Sequence, residues 1–168
     1  MKRRQGFTLI ETTIVIMIIG IGVIIAIPNM QRWVYRSNFS GFQRQFYSEC
    51  QEARTRALSS QFQHRIVIDL TAQSVLLERG NLGTGSTAWT AVRSTIPVPA
   101  GSFIDNVLTT QGAVTTNAVG TATILFNPAG DTFPLDLARI YIRSSVGDQY
   151  TIRIFGWTAK TRLENGWT

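Results

Sequence analysis

The chain has 168 residues, the size of one ordinary domain plus a short extension, and its apolar fraction of 44% is that of a globular protein. Net charge is +6, but Lys2, Arg3 and Arg4 supply half of it, and without them 13 basic side chains face 10 acidic ones. The basic balance is therefore mainly a topology signal that keeps the N-terminus cytoplasmic, and only weakly a nucleic-acid signal. One cysteine, Cys50, excludes an intrachain disulfide and leaves the redox compartment unread.

After the basic cluster come Gln5-Gly6 and an apolar run from Phe7 to Ile27 that carries one charge, Glu11. As a helix this run reaches about 30 Å, enough to cross a hydrocarbon core. A carboxylate there costs up to about 2.5–3.5 kcal/mol at mid-membrane and less near the interface, so Glu11 demands a partner. A secretory signal would have a shorter apolar core followed by a small-x-small cleavage site; Ile27-Pro28-Asn29-Met30 offers none. A plain signal anchor accounts for the hydrophobicity equally well but not for the local sequence.

The residues Gly6-Phe7-Thr8-Leu9-Ile10-Glu11, behind a short basic leader, resemble the processing site of type IV pilins and type II secretion pseudopilins. The resemblance implies cleavage between Gly6 and Phe7 by a prepilin peptidase and methylation of the new Phe7 amine. It also implies that Glu11 compensates such an amine, in these families on a neighbouring subunit, and so registers each incoming copy. Gly20, Gly22 and Pro28 are weak points of the helix. In resembling pilins the stretch between such a Gly and Pro unwinds in the filament; a gentle kink at Pro28 is the alternative.

From Asn29 to Gln63 the pattern is amphipathic. Phe39, Phe42, Phe46, Cys50, Ala53 and Ala57 recur at spacings of three and four and predict one buried helical stripe, with Cys50 a buried free thiol. After Gln63 the period becomes two. Strands are predicted at 65–70, 74–79, 89–94, 103–109, 122–127, 139–143 and 150–155, with hairpin links at Thr71-Ala72-Gln73 and Val146-Gly147-Asp148. The stretches 80–88 and 112–121 read as exposed loops. The fold class is α+β: a long N-terminal helix, transmembrane in its first half and amphipathic in its second, packed on an antiparallel β-sheet domain. The expected organisation is a leader at 1–6, an assembly helix at 7–28, an amphipathic helix at 29–63 and a β-rich domain at 64–168.

The second half resembles the GspH/FimT-like branch of minor pilins and H-type pseudopilins. The similarity lies in Phe126-Asn127-Pro128-Ala129-Gly130, in Glu52-Ala53-Arg54-Thr55-Arg56-Ala57, and in Tyr150 to Trp167 as a closing hairpin. It implies a structural subunit of a type IV pilus that primes or modifies the filament, with an H-type pseudopilin of type II secretion as the alternative. Its implied partners are prepilin peptidase, other pilins or pseudopilins and the inner membrane. Its implied location is a single pass in a bacterial inner membrane with the C-terminal domain periplasmic, then a pilus or pseudopilus. The resemblance implies no cofactor, metal or small-molecule substrate.

Enzyme chemistry finds little support. The one histidine, His64, reads as a surface or capping residue; no second His and no Cys pair complete a zinc site. The run 80–86 lacks the lysine of a phosphate loop. A DNA-binding minor pilin is the further alternative. Some FimT-like pilins carry a Gly-Arg-x-Arg element in the closing hairpin, and the matching place here, 156–162, lacks its first arginine. Lys160 and Arg162, with Arg139, Arg143 and Arg153, could still contact phosphates while Trp157 or Trp167 stacks on bases.

Overall fold

A computed structural model describes residues 8–132 and 135–167, with the backbone alone at Ile25 and Pro28. The leader and the expected cleavage pair Gly6 and Phe7 lie outside the described residues. One helix, α1, covers Leu9–Ser60, and two units divide at 34/35. In the first unit every described side chain from Leu9 to Val34 is exposed, so its apolar surface is unsatisfied within the chain. This helix is long and apolar enough to cross a membrane. Gly20, Gly22 and Pro28 all lie within its helical backbone.

In the second unit the helical residues 35–60 bury the stripe read from the sequence: Phe39, Phe42, Phe46, Cys50, Ala53 and Ala57 all lie in the core. A 3.6-residue period facing apolar strands produces this stripe, and the Phe42–Phe46 pair, at ring centroids 5.9 Å apart, extends it along the helix. The helix stops at Ser60, and Gln61 adopts a left-handed φ of 59°, a common helix C-terminal geometry.

Among the described residues ten strands follow: β1 (His64–Asp69), β2 (Ser74–Gly80), β3 (Trp89–Ala91), β4 (Ile96–Pro97), β5 (Ser102–Gln111), β6 (Val114–Asn117), β7 (Thr121–Phe126), β8 (Leu137–Ser144), β9 (Gln149–Phe155) and β10 (Lys160–Asn165). They form two antiparallel sheets. One has the order β3-β2-β1-β7 with β4 also on β2; the other has the order β10-β9-β8-β5-β6. Alternation sets the inner faces: Ile66 and Ile68 on β1, Ile140 and Ile142 on β8, and Ile152 and Ile154 on β9 are all fully buried, in one cluster with the helix stripe. Both hairpin links fall where the sequence placed them, and Tyr150–Trp167 does form a closing hairpin.

Three expectations change. The strand read at 89–94 ends at Ala91, because Arg93 turns toward the helix and pairs with Glu49. The stretch 112–121, read as loop, contains β6, whose four residues are all exposed and so carry no alternation to read. His64 is buried rather than superficial, since it opens β1 on the same face as Ile66 and Ile68.

Candidate functional site

At the start of α1, Thr8 and Glu11 answer each other. The Glu11 backbone N–H donates to Thr8 Oγ1 at 3.3 Å, and the Thr8 backbone N–H donates to Glu11 Oε2 at 3.4 Å. This is a capping box, which satisfies two of the donors that every helix N-terminus leaves orphaned. Its Thr-x-x-Glu signature was in the sequence, inside the processing-site resemblance, and was not read as a cap. Glu11 therefore has a local partner in the isolated chain, where its carboxylate is exposed on an apolar helix.

The Phe126–Gly130 stretch is a tight turn with a structural task. Gly130 donates its N–H to the Asn127 carbonyl at 2.9 Å, and its φ of 89° lies in the region open to glycine. The Asn127 amide nitrogen donates to Asp131 Oδ1 at 2.8 Å while its amide oxygen accepts from Gln63 Nε2 at 2.8 Å. The Gln63 amide oxygen accepts from the Ser86 N–H at 2.8 Å. One polar chain thus ties the exit of the helix, the loop after β2 and the turn after β7.

Residues 1–27 match the family model described as the prokaryotic N-terminal methylation motif. No curated protein matches the chain. Among solved structures the chain is similar to the minor pseudopilin EpsH from the type II secretion system of Vibrio cholerae. That match has a TM-score of 0.58 and 11% identity, and it covers 79% of this chain and 97% of that one. A second structure of EpsH matches at a TM-score of 0.55 and 12% identity, covering 76% and 97%. The type IV minor pilin FimU of Pseudomonas aeruginosa matches at a TM-score of 0.53 and 17% identity, covering 77% and 90%. The chain has the fold of minor pilins and pseudopilins.

Within this minor-subunit fold, the cationic residues read from the sequence fall on the outer face of the second sheet. Register pairs Arg153 with Arg139 on one side and with Arg162 on the other, which lines the three up across β8, β9 and β10. Lys160 shares the Arg162 face of β10. The row is partly neutralised: Glu164 Oε2 lies 3.2 Å from Arg153 and its Oε1 lies 3.5 Å from Arg162. Arg143 pairs with Asp105 at 2.6 Å, across a register shift in β5 that frees Asp105 from the ladder. Trp157 is exposed at the hairpin turn, whereas Trp167, beyond the other end of β10, packs edge-on against Tyr141 at 5.9 Å. The two tryptophans do not meet.

Cys50 is fully buried, and burial, assisted by nearby Glu49, pushes its thiol far above the ordinary range. A thiol held in that form is a packing group rather than a nucleophile. Among the described residues no group of three or more His, Cys, Asp or Glu could hold a metal ion.

Sequence reasoning missed a four-residue ionic cluster. Arg93 pairs with Glu49 at 2.8 Å and also with Glu52, which in turn accepts from Arg56 Nε at 2.7 Å. Glu49 is only 3% exposed; burial raises its pKa and Arg93 opposes the rise. The Arg56 and Arg93 contacts hold Glu52 below its ordinary value, against a smaller burial effect. The helical part of the cluster was legible as an i, i+4 pair, but no signal in the sequence ties Arg93 to it.

Proposed function

We propose that this chain is a pilin-like structural subunit, made as a precursor, cleaved between Gly6 and Phe7 by a prepilin peptidase, N-methylated at Phe7 and assembled through α1. The observation that carries the proposal is a conjunction in one chain. A methylation motif covers residues 1–27, the helix it opens exposes every described side chain from Leu9 to Val34, and the rest has the minor-subunit fold. The motif fits insertion in an inner membrane with the basic leader cytoplasmic and the β domain periplasmic. We favour a minor pilin of a type IV pilus. Pro28, with Gly20 and Gly22, supports this by analogy with pilins whose helix melts in the filament. The likeness to EpsH supports the alternative, an H-type pseudopilin.

The mature chain is expected to begin at Phe7 and to be one methyl group heavier than its sequence, by N-terminal sequencing and intact mass. A chain still starting at Met1 in cells that hold the peptidase would overturn the reading.

Glu11 carries two roles that one pair of variants separates. Glu11→Gln keeps an acceptor for the Thr8 N–H but removes the charge; Glu11→Ala removes both. Both variants are expected to be processed normally yet to fall by at least about tenfold in sheared pili, the scale of a lost pairing of one to two kcal/mol. If Glu11→Gln enters filaments as wild type does, the capping box and not the charge is what assembly needs. Wild-type chain found in the secretion pseudopilus and absent from pili would decide for the alternative.

A further inference from the structure

A cleft of about 530 Å³ opens between the last turns of α1 and the β1-β2-β3 part of the first sheet. Arg56, Phe62, His64, Arg79 and Val92 are among its lining residues, and none of those residues is acidic. Register brings two of the polar groups together: His64 pairs with Arg79 across β1 and β2, so both side chains project from one face. The Arg79 guanidinium lies 4.1 Å above the Phe62 ring, a stacking that fixes its plane. Among the described residues no carboxylate pairs with Arg79, whereas Arg56 already donates to Glu52. His64 Nδ1 is 3.1 Å from the Phe62 carbonyl, which leaves Nε2 as the ring nitrogen that takes up or loses a proton.

We infer that this cleft binds a single carboxylate, presented by an acidic side chain or by a chain terminus. Charge sets the stoichiometry. Arg56 and Arg93 are balanced by Glu49 and Glu52, so Arg79 carries the one charge left over, and a monoanion balances it. Geometry sets the class. A planar guanidinium held flat by an aromatic ring matches the two oxygens of a carboxylate. The apolar walls at Phe62, Ala88, Ala91 and Val92 suit the methylene stem behind such a group better than a hydrated phosphate dianion. The field in the cleft is already positive: His64 is held below its ordinary pKa, first by burial and then by Arg56 and Arg79, against the contrary pull of the Phe62 carbonyl. No part of the inference depends on the proposed filament role.

Because His64 is the only histidine in the chain, it reports on the cleft without assignment ambiguity. The experiment uses full-length chain in detergent micelles, ring-labelled at histidine, and follows the imidazole C–H resonances by NMR at constant ionic strength. N-acetylglutamate α-amide supplies a side-chain carboxylate alone, N-acetylalanine a terminal one alone; inorganic phosphate and chloride are the comparison anions. The expected result is a saturable shift with one of the two carboxylates, whose identity names the source, and an upward move of the His64 titration on saturation. Arg79→Gln is expected to weaken that binding at least about tenfold, the loss of one charge-assisted hydrogen bond. Arg79 is exposed, so the variant should keep the fold, checked by the backbone amide spectrum; Arg56→Gln is the second variant and is expected to weaken binding less. No saturable shift, a shift matched by chloride, binding unchanged in Arg79→Gln, or tighter binding of phosphate than of either carboxylate each overturns the assignment.

Discussion

Replacing Gly156 with alanine is expected to destabilise the second unit severely. Gly156 follows β9 and opens the turn to β10. A Cβ built there would lie 1.7 Å from the Leu135 carbonyl oxygen and 2.7 Å from the Asp136 Cα. Both obstacles are backbone, so no rotamer change relieves them. The two segments cannot separate cheaply either. Gly156 donates its N–H to the Asp136 carbonyl at 2.7 Å, and its own carbonyl accepts from the Thr132 N–H at 2.7 Å. Opening the gap by more than an ångström would break both bonds in a buried strip that also holds Thr132. The cost should exceed about 4 kcal/mol, against a typical total of about 5–15. Gly41→Ala supplies the opposite sign in the same assay. Gly41 sits in α1, exposed, with no atom within 4 Å of an added Cβ, and alanine there should add about 0.5–1 kcal/mol through helix propensity. Urea unfolding of the full chain in micelles measures both. A Gly156→Ala chain within about 1 kcal/mol of wild type would show that the strip relaxes in a way this packing does not allow.

Gly156 also shows what a sequence can and cannot say about a site. It stands first in the hairpin stretch compared with a DNA-binding element, yet here the glycine is required by the close approach of residues 135–136. What was legible was periodic. The stripe from Phe39 to Ala57 and the alternating isoleucines of β1, β8 and β9 each present one face to the core, and burial of one face is what periodicity records. What was not legible lacked a face. All of β6 is exposed, and β3 is cut short by a residue that leaves the sheet for the helix. Lys160 and Arg162 were rightly placed on one face of a strand. The pairing of Glu164 with Arg153 was not foreseeable, because it depends on the register of β9 and β10, which the sequence does not state. At the N-terminus the reverse occurred. The motif from Gly6 to Glu11 was specific enough to expect processing, and that same specificity hid the ordinary capping box within it.

Arg93→Ala tests a long-range ion pair that periodicity could not supply, and its effect should depend on pH. Arg93 reaches across 44 positions to hold Glu49, a nearly buried carboxylate whose second oxygen has no partner. Taking the guanidinium away leaves that charge buried and unpaired. A fully enclosed pair would cost about 3–5 kcal/mol on losing one member; Arg93 is 39% exposed and water can reach the gap, so about 1–3 is expected near neutral pH. Glu49 has a folded pKa above its ordinary 4.5, so its contribution to stability is complete below that value and is lost as pH rises through the folded one. Without Arg93 the folded pKa rises further, and the loss above pH 4.5 deepens. Glu52 behaves in the opposite sense. Its pKa is lowered, so it stabilises above 4.5 and the benefit fades as pH falls through its folded value; removing Arg93 erases part of that benefit. Both groups therefore make the Arg93→Ala deficit widest near neutrality and narrowest in acid. Urea unfolding of wild type and variant across that range measures it. Glu49→Gln in the Arg93→Ala background should recover much of the deficit at neutral pH, because an uncharged amide needs no cation there, and the cycle isolates the coupling. A deficit independent of pH, or no recovery in the double variant, would mean that Arg93 acts through packing of its stem against the helix rather than through charge.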